Sequence, residues 1–166
     1  VLRVTRDLVS YARPAHDKPE AIELNAVLEK AIGFCDHVLS KHGLTLNRAL
    51  QPVPPFHALR QNLVQVFVNL ITNACHATPS GGTVGVRVLR LPSGHYELCV
   101  ADTGPGVRPD RREKIFEPFF QVDGSVTREH GGVGVGWAIA RRTARGLGGE
   151  VRVIAPCTVT MEGVPL

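Results

Sequence analysis

The stretch from Ala58 to Ala77 constrains this chain more than any other. Leu63, Val66, Phe67, Leu70 and Ile71 recur there at helical spacing, which predicts the longest helix of the molecule. Pro79-Ser80-Gly81-Gly82 then turns the chain. Thr83 to Leu91 and His95 to Ala101 follow as two strands around Pro92-Ser93-Gly94, a hairpin pattern. A long one-faced helix running into a hairpin excludes the strand–helix–strand alternation of a parallel sheet. It calls for an α+β fold in which the helix covers one side of an antiparallel sheet, a two-layer sandwich.

The remaining segments fit that class. Val1 to Ala12 places Leu2, Leu8 and Val9 on a helical pattern, and Arg13 to Pro19 is punctuated by proline. Glu20 to Leu24 reads as a short strand. Asn25 suits a helix N-cap, with the helix running to about His42 and stopped by Gly43. Leu44, Leu46 and Leu50 mark a strand-like stretch that ends before Pro52. Arg111 to Ile115 reads as one helical turn, and Val135 to Gly146 as a helix. Glu150 to Ile154 and Thr158 to Met161 read as strands. A chain of 166 residues is one domain with an appended helix, long enough to bury a core without staples. Its first residues have the character of mid-helix, as expected of a piece of a longer protein.

Three groups of residues carry chemistry. Asn69 and Asn73 stand one turn apart on one face of the long helix, so both amides project together. Neutral amide oxygens suit Mg²⁺, whose other ligands are usually waters and substrate phosphates. Paired asparagines also arise where they merely satisfy nearby backbone. Asp102 ends an apolar strand and opens Asp102-Thr103-Gly104-Pro105-Gly106. A carboxylate there can accept a hydrogen bond from an exocyclic amine such as adenine's, with Thr103 bridging through water and the glycines admitting the base. The same pattern also serves as a plain turn. Gly132, Gly134 and Gly136 alternate just before a helix, where bare backbone N–H groups and the helix start can face phosphate oxygens. A P-loop needs Lys and then Ser or Thr after its last glycine, where Trp137 and Ala138 stand. A dinucleotide GxGxxG fails because its third glycine falls on Trp137 or Ile139.

In this order the motifs resemble the ATP-binding catalytic domain of sensor histidine kinases, of the Bergerat or GHKL type. Gln65 to Ala74 resembles the N box and Asp102 to Gly106 the G1 box. Ile115 to Phe120 resembles the F box, and Gly131 to Arg142 the G2 box with its helix. Gln121 to Gly132 resembles the ATP lid, and Leu147 to Val151 the strand that follows. The resemblance implies a mixed, mostly antiparallel sheet with helices on one face. It implies ATP and Mg²⁺ as ligands, with Asn73 holding the metal and Asn69 supporting it. Asp102 would read adenine, and Gly104 and Gly106 would shape the base pocket. Gly132, Gly134 and Gly136 would approach the phosphates. Arg128 and His76 would add positive charge there, and Phe116, Phe119 and Phe120 would anchor the lid. Residues 1–13 would end a dimerisation helix, 14–22 would be a linker, and 23–166 the catalytic domain.

None of the seven histidines sits in a phosphoacceptor setting, so the resemblance implies an acceptor outside this chain. The implied partners are the protein's own dimerisation and phosphoacceptor domain, a response regulator, and a second copy in a homodimer. Asn69 favours a kinase over a hydrolase, because relatives that hydrolyse ATP carry a Glu there to activate water and an amide cannot act as that base. Val133 and Trp137 depart from the small residue and the Leu usual in the family. A second reading is therefore a weak or inactive pseudokinase acting through nucleotide-dependent protein contacts. The net charge of +4 suits a triphosphate, and with 5% aromatic residues no stacking platform for nucleic acid is visible. Cys35, Cys75, Cys99 and Cys157 are too dispersed for structural zinc and read as buried thiols of a reducing compartment. With no membrane-length apolar run, the expected location is cytoplasmic.

Overall fold

The computed structural model describes residues 18–121, 134–155 and 158–164. Three helices pack on one face of a five-stranded sheet. Strand β1 (Glu20–Ile22) leads into α1 (Leu24–Lys41), then β2 (Thr45–Leu50) and β3 (Phe56–Ala58). Helix α2 (Arg60–Ala77) follows, then β4 (Thr83–Arg90) and β5 (Tyr96–Asp102). Short 3₁₀ turns cover Pro109–Arg111 and Lys114–Phe116. Helix α3 (Gly136–Gly146), β6 (Glu150–Ala155) and β7 (Thr158–Val164) complete the chain. The sheet order is β2-β4-β5-β7-β6, and β1 pairs with β3 in a separate ribbon. Only the edge pair β2–β4 is parallel; the other three pairings are antiparallel. The α+β sandwich with a mixed, mostly antiparallel sheet stands as expected.

Alternation along the strands shows why the helices share one face. Val84, Val86 and Val88 of β4, Tyr96, Leu98 and Val100 of β5, and Val151 of β6 all enter one core. Helix α2 meets them with Leu63, Val66, Phe67, Leu70 and Ile71, all buried. Burying each such side chain is worth roughly 1.5–3 kcal/mol. Helix α1 packs beside α2 through Val27, Leu28, Ala31, Ile32 and Cys35. The apolar stripe that dominates the sequence is thus the seam between α1, α2 and the sheet.

Three boundaries differ from the sequence reading. Helix α1 starts at Leu24, so Asn25 is its second residue and not its N-cap; Glu23 holds that place without a side-chain bond. Both Ile22 and Leu24 are drawn into the core, and this pulls the helix start forward. The Asn25 amide instead donates to the Gln51 carbonyl at 3.1 Å. Residues 56–58 form a strand, and α2 begins at Arg60. The short strand read over Glu20 to Leu24 is β1 and ends at Ile22; it pairs with β3 from Glu20↔Ala58 to Ile22↔Phe56. Arg60 ties this ribbon to α2 through Glu20 at 2.6 Å.

Candidate functional site

The site lies along α2, between the end of β5 and the start of α3. At the β5 end, Asp102 is the last residue of its strand and half-buried. Its Oδ1 accepts the Gly104 N–H at 2.7 Å. Burial lifts the carboxyl above the ordinary aspartate range, and the Gly104 N–H draws it partly back. Gly104 is a glycine because a Cβ there would stand 2.5 Å from the Ala77 carbonyl oxygen and 2.6 Å from Asp102 Oδ1. The turn is therefore pressed against the last residue of α2. Gly106 completes it with φ +72°, a conformation that favours glycine.

Thr103 has its hydroxyl engaged within the fold at one of its acceptor positions. Its Oγ1 accepts the Thr83 N–H at 3.0 Å, and its own N–H donates to the Thr83 carbonyl. This double link ties the Asp102 turn to β4.

At the other end, Gly136 opens α3 directly over Asn69. A Cβ on Gly136 would lie 3.4 Å from Asn69 Cγ, in van der Waals contact with it. Asn69 Nδ2 is buried without a hydrogen-bond partner. The residue before the helix, Val135, offers no side-chain cap. A buried amide donor and the uncapped first N–H groups of a helix thus converge, and both need an acceptor. That donor set fits a phosphate. Asn73 lies one turn further along α2, towards Asp102. Along the axis, Asn69 and Ala77 are about 12 Å apart at roughly 1.5 Å per residue. The two ends are therefore separated as the base and outer phosphates of an extended nucleotide are.

Among the described residues no group of three His, Cys, Asp or Glu could hold a metal ion. A cation here would be held by the neutral amides of α2 together with ligand phosphates, a donor set that suits Mg²⁺. His76 packs edge-on against His42, with ring centroids 6.3 Å apart, where α1 ends beside α2. Arg128, Gly132 and Val133 lie outside the described residues.

The phenylalanines divide by role. Phe116 is buried, and Phe120 is half-buried against the core. Phe119 is 60% exposed, with φ +68°. Its N–H donates to the Gly134 carbonyl at 2.9 Å. Gly134 in turn takes φ +75°, and a Cβ there would lie 2.8 Å from the Phe120 carbonyl oxygen. Trp137 seats edge-on against Phe116, with centroids 5.8 Å apart, so its bulk is taken up by packing at this position.

One residue of the Gly131 to Arg142 stretch makes contacts that its motif does not announce. Arg141 bonds Glu150 at 2.7 Å and Glu113 at 2.9 Å. Its guanidinium also lies 4.4 Å from the Phe116 ring centroid. Its helical spacing from Trp137 was the one available signal, and the identity of its acidic partners was not readable from spacing.

A family profile described as histidine kinase-, DNA gyrase B- and HSP90-like ATPase matches residues 58–164. The sensor histidine kinase AruS of Pseudomonas aeruginosa is 37% identical over 92% of this chain. The sensor histidine kinase ZraS of Klebsiella oxytoca is 29% identical over 90% of it. The chain spans 16% and 31% of the length of these two relatives. Among solved structures, full-length ShkA in complex with AMPPNP superposes with a TM-score of 0.81 at 28% identity, over 98% of this chain and 35% of that one. The mycobacterial sensor histidine kinase MprB gives 0.70 at 26% identity, over 89% and 99%.

Proposed function

The chain belongs to the histidine kinase-, DNA gyrase B- and HSP90-like ATPase family, and from that premise we propose how its residues handle nucleotide. It is an ATP-binding catalytic domain of the sensor histidine kinase type. The γ-phosphoryl of bound ATP is delivered to a histidine outside this chain. Asp102 receives the adenine amine on the carboxylate oxygen that Gly104 leaves free. Asn73, supported by Asn69, holds Mg²⁺, which neutralises phosphate charge when bound. Gly134 and Gly136, with Gly132 before them, let backbone N–H groups approach the phosphates. Arg128 adds charge on the same side. His76, turned to His42, is a weaker candidate for that role.

Catalysis of this kind is mostly positioning and charge stabilisation. The residues that line α2 supply both without a general base, since an amide at Asn69 cannot take a proton from water. The expected partners are a dimerisation and phosphoacceptor domain of the same protein, forming a homodimer, and a response regulator; the expected location is the cytoplasm. Among the described residues no helix is long and apolar enough to cross a membrane.

The observation that supports this reading best is the Asp102–Gly104 cradle. The half-buried carboxylate gives one oxygen to the Gly104 N–H, on a turn pressed so closely to the Ala77 carbonyl that only glycine fits. Calorimetric titration with ATP and GTP tests it. Guanine presents a carbonyl where adenine presents an amine, so a carboxylate reader should bind Mg·ATP at about millimolar affinity or tighter and GTP at least about tenfold more weakly. Equal affinities, or no Mg-dependent ATP binding, would overturn the reading.

A further inference from the structure

We propose that Arg141 is a positioning residue for the phosphate end of the nucleotide site, acting through the segment 113–120. The proposal rests on the nucleotide reading above and gives a role to a residue of the Gly131 to Arg142 stretch that this reading leaves without one.

The Arg141 side chain is only 18% exposed, yet it joins three separate pieces of chain. It sits in the second turn of α3. Its Nε donates to Glu150 at the start of β6, and its Nη1 donates to Glu113 in the 3₁₀ region. Its guanidinium covers the face of Phe116, whose ring also meets the edge of Trp137. The segment 113–120 is thereby fastened to α3 at one end. At its other end the same segment reaches the turn that opens α3. There the Phe119 N–H holds the Gly134 carbonyl, and the Phe120 carbonyl fills the space where a Cβ of Gly134 would be.

The geometry is that of a staple. Arg141 fixes where residues 113–120 lie, and those residues fix the backbone of Gly134. Gly134 sets the direction in which α3 begins and hence the placement of Gly136 over Asn69. Among the described residues, the contacts that make up this path do not include the Asp102 turn. Loosening the staple should therefore disturb phosphates and spare the base. An arginine suits the task because its planar fork serves two carboxylates and a ring at once, whereas a lysine is a single point charge.

The test compares Mg·ATP with adenosine, which carries the base and no phosphate. Arg141→Met keeps an apolar stem on Phe116 and removes the fork. It should weaken ATP by about tenfold or more while adenosine changes by less than about twofold. Arg141→Lys should fall between wild type and Arg141→Met. Glu113 is 78% exposed, so Glu113→Gln cuts one arm without burying a new group and decides the matter if Arg141→Met does not fold. It should shift ATP in the same direction by a smaller factor, with adenosine unmoved. Equal weakening of both ligands would mean a merely structural role, and no change in either would mean no role; each overturns the proposal. A wild-type protein that binds neither ligand overturns the nucleotide reading itself, and this proposal with it.

Discussion

Burial lifts the Asp102 carboxyl above the ordinary aspartate range, and the Gly104 N–H offsets only part of that cost. The sign matters. A carboxyl whose folded pKa is raised destabilises the fold at every pH where the unfolded chain would be ionised. Asp102→Asn removes that charge and keeps an oxygen for the Gly104 N–H, but turns a donor towards the adenine amine. Losing a charge-assisted hydrogen bond and opposing two donors costs about 1.5–3 kcal/mol of binding. The expected outcome is ATP affinity lowered by roughly ten- to a hundredfold, with a Tm equal to or above wild type. Calorimetric titration and thermal melting read the two effects separately, and a variant that loses both stability and binding would contradict this account. At this scale Asp102, Gly104 and the asparagines of α2 were legible, because each sits in a short run whose chemistry is local. The turning of Thr103 to Thr83 was not, since the bond crosses two strands.

Elements followed the same division. Helix α2 and the β4–β5 hairpin were readable because a strong apolar period and a Pro-Ser-Gly turn lie within a few residues of each other. Strand β3 was not, because a strand of three residues beside prolines has no period of its own and exists through its pairing with β1. The parallel pairing of β2 with β4 depends on how the chain crosses over α2, which spacing does not encode. Nor do sequence separations announce that Arg141 reaches both Glu113 and Glu150. That network carries a pH dependence. Desolvation opposes ionisation of Glu150, but hydrogen bonds and charge from Arg141 and Arg145 outweigh it and hold its carboxyl below the usual glutamate range. A lowered folded pKa contributes stability above the unfolded value of about 4.3 and loses it as pH falls through the folded one. Glu150→Gln should therefore be less stable than wild type at pH 7, by about 1 kcal/mol or less for so exposed a group. The gap should close as thermal melts are taken down towards pH 3; a gap that persists there would sever Glu150 ionisation from α3 anchoring.

Among the described residues a helical layer lies on the five-stranded sheet, beside the β1–β3 ribbon, and the two layers carry thiols in different places. Cys35 and Cys75 are buried in α1 and α2, while Cys99 is buried in the central strand β5. Burial pushes the Cys75 thiol up to about 12, with smaller contributions from Cys35 and Asp102. Burial also raises Cys99, with its hydrogen bond to Glu97, to about 11. Neither is a nucleophile in the closed protein at neutral pH, since the thiolate is the reactive form. With Cys157, which lies outside the described residues, replaced by serine, modification of Cys35 and Cys75 by a thiol reagent requires opening of the helical layer, whereas Cys99, on the far face of β5 beside Arg87 and Glu97, is shielded by side chains. Saturating Mg·ATP at a hundred times its Kd adds about 2.7 kcal/mol to the cost of any opening that abolishes the site, slowing modification about a hundredfold. Openings that leave the site intact would be unaffected by nucleotide. Cys35 and Cys75 thus make the protein its own stopwatch: the rate at which they react, and how far nucleotide slows it, times the lifting of the helical layer.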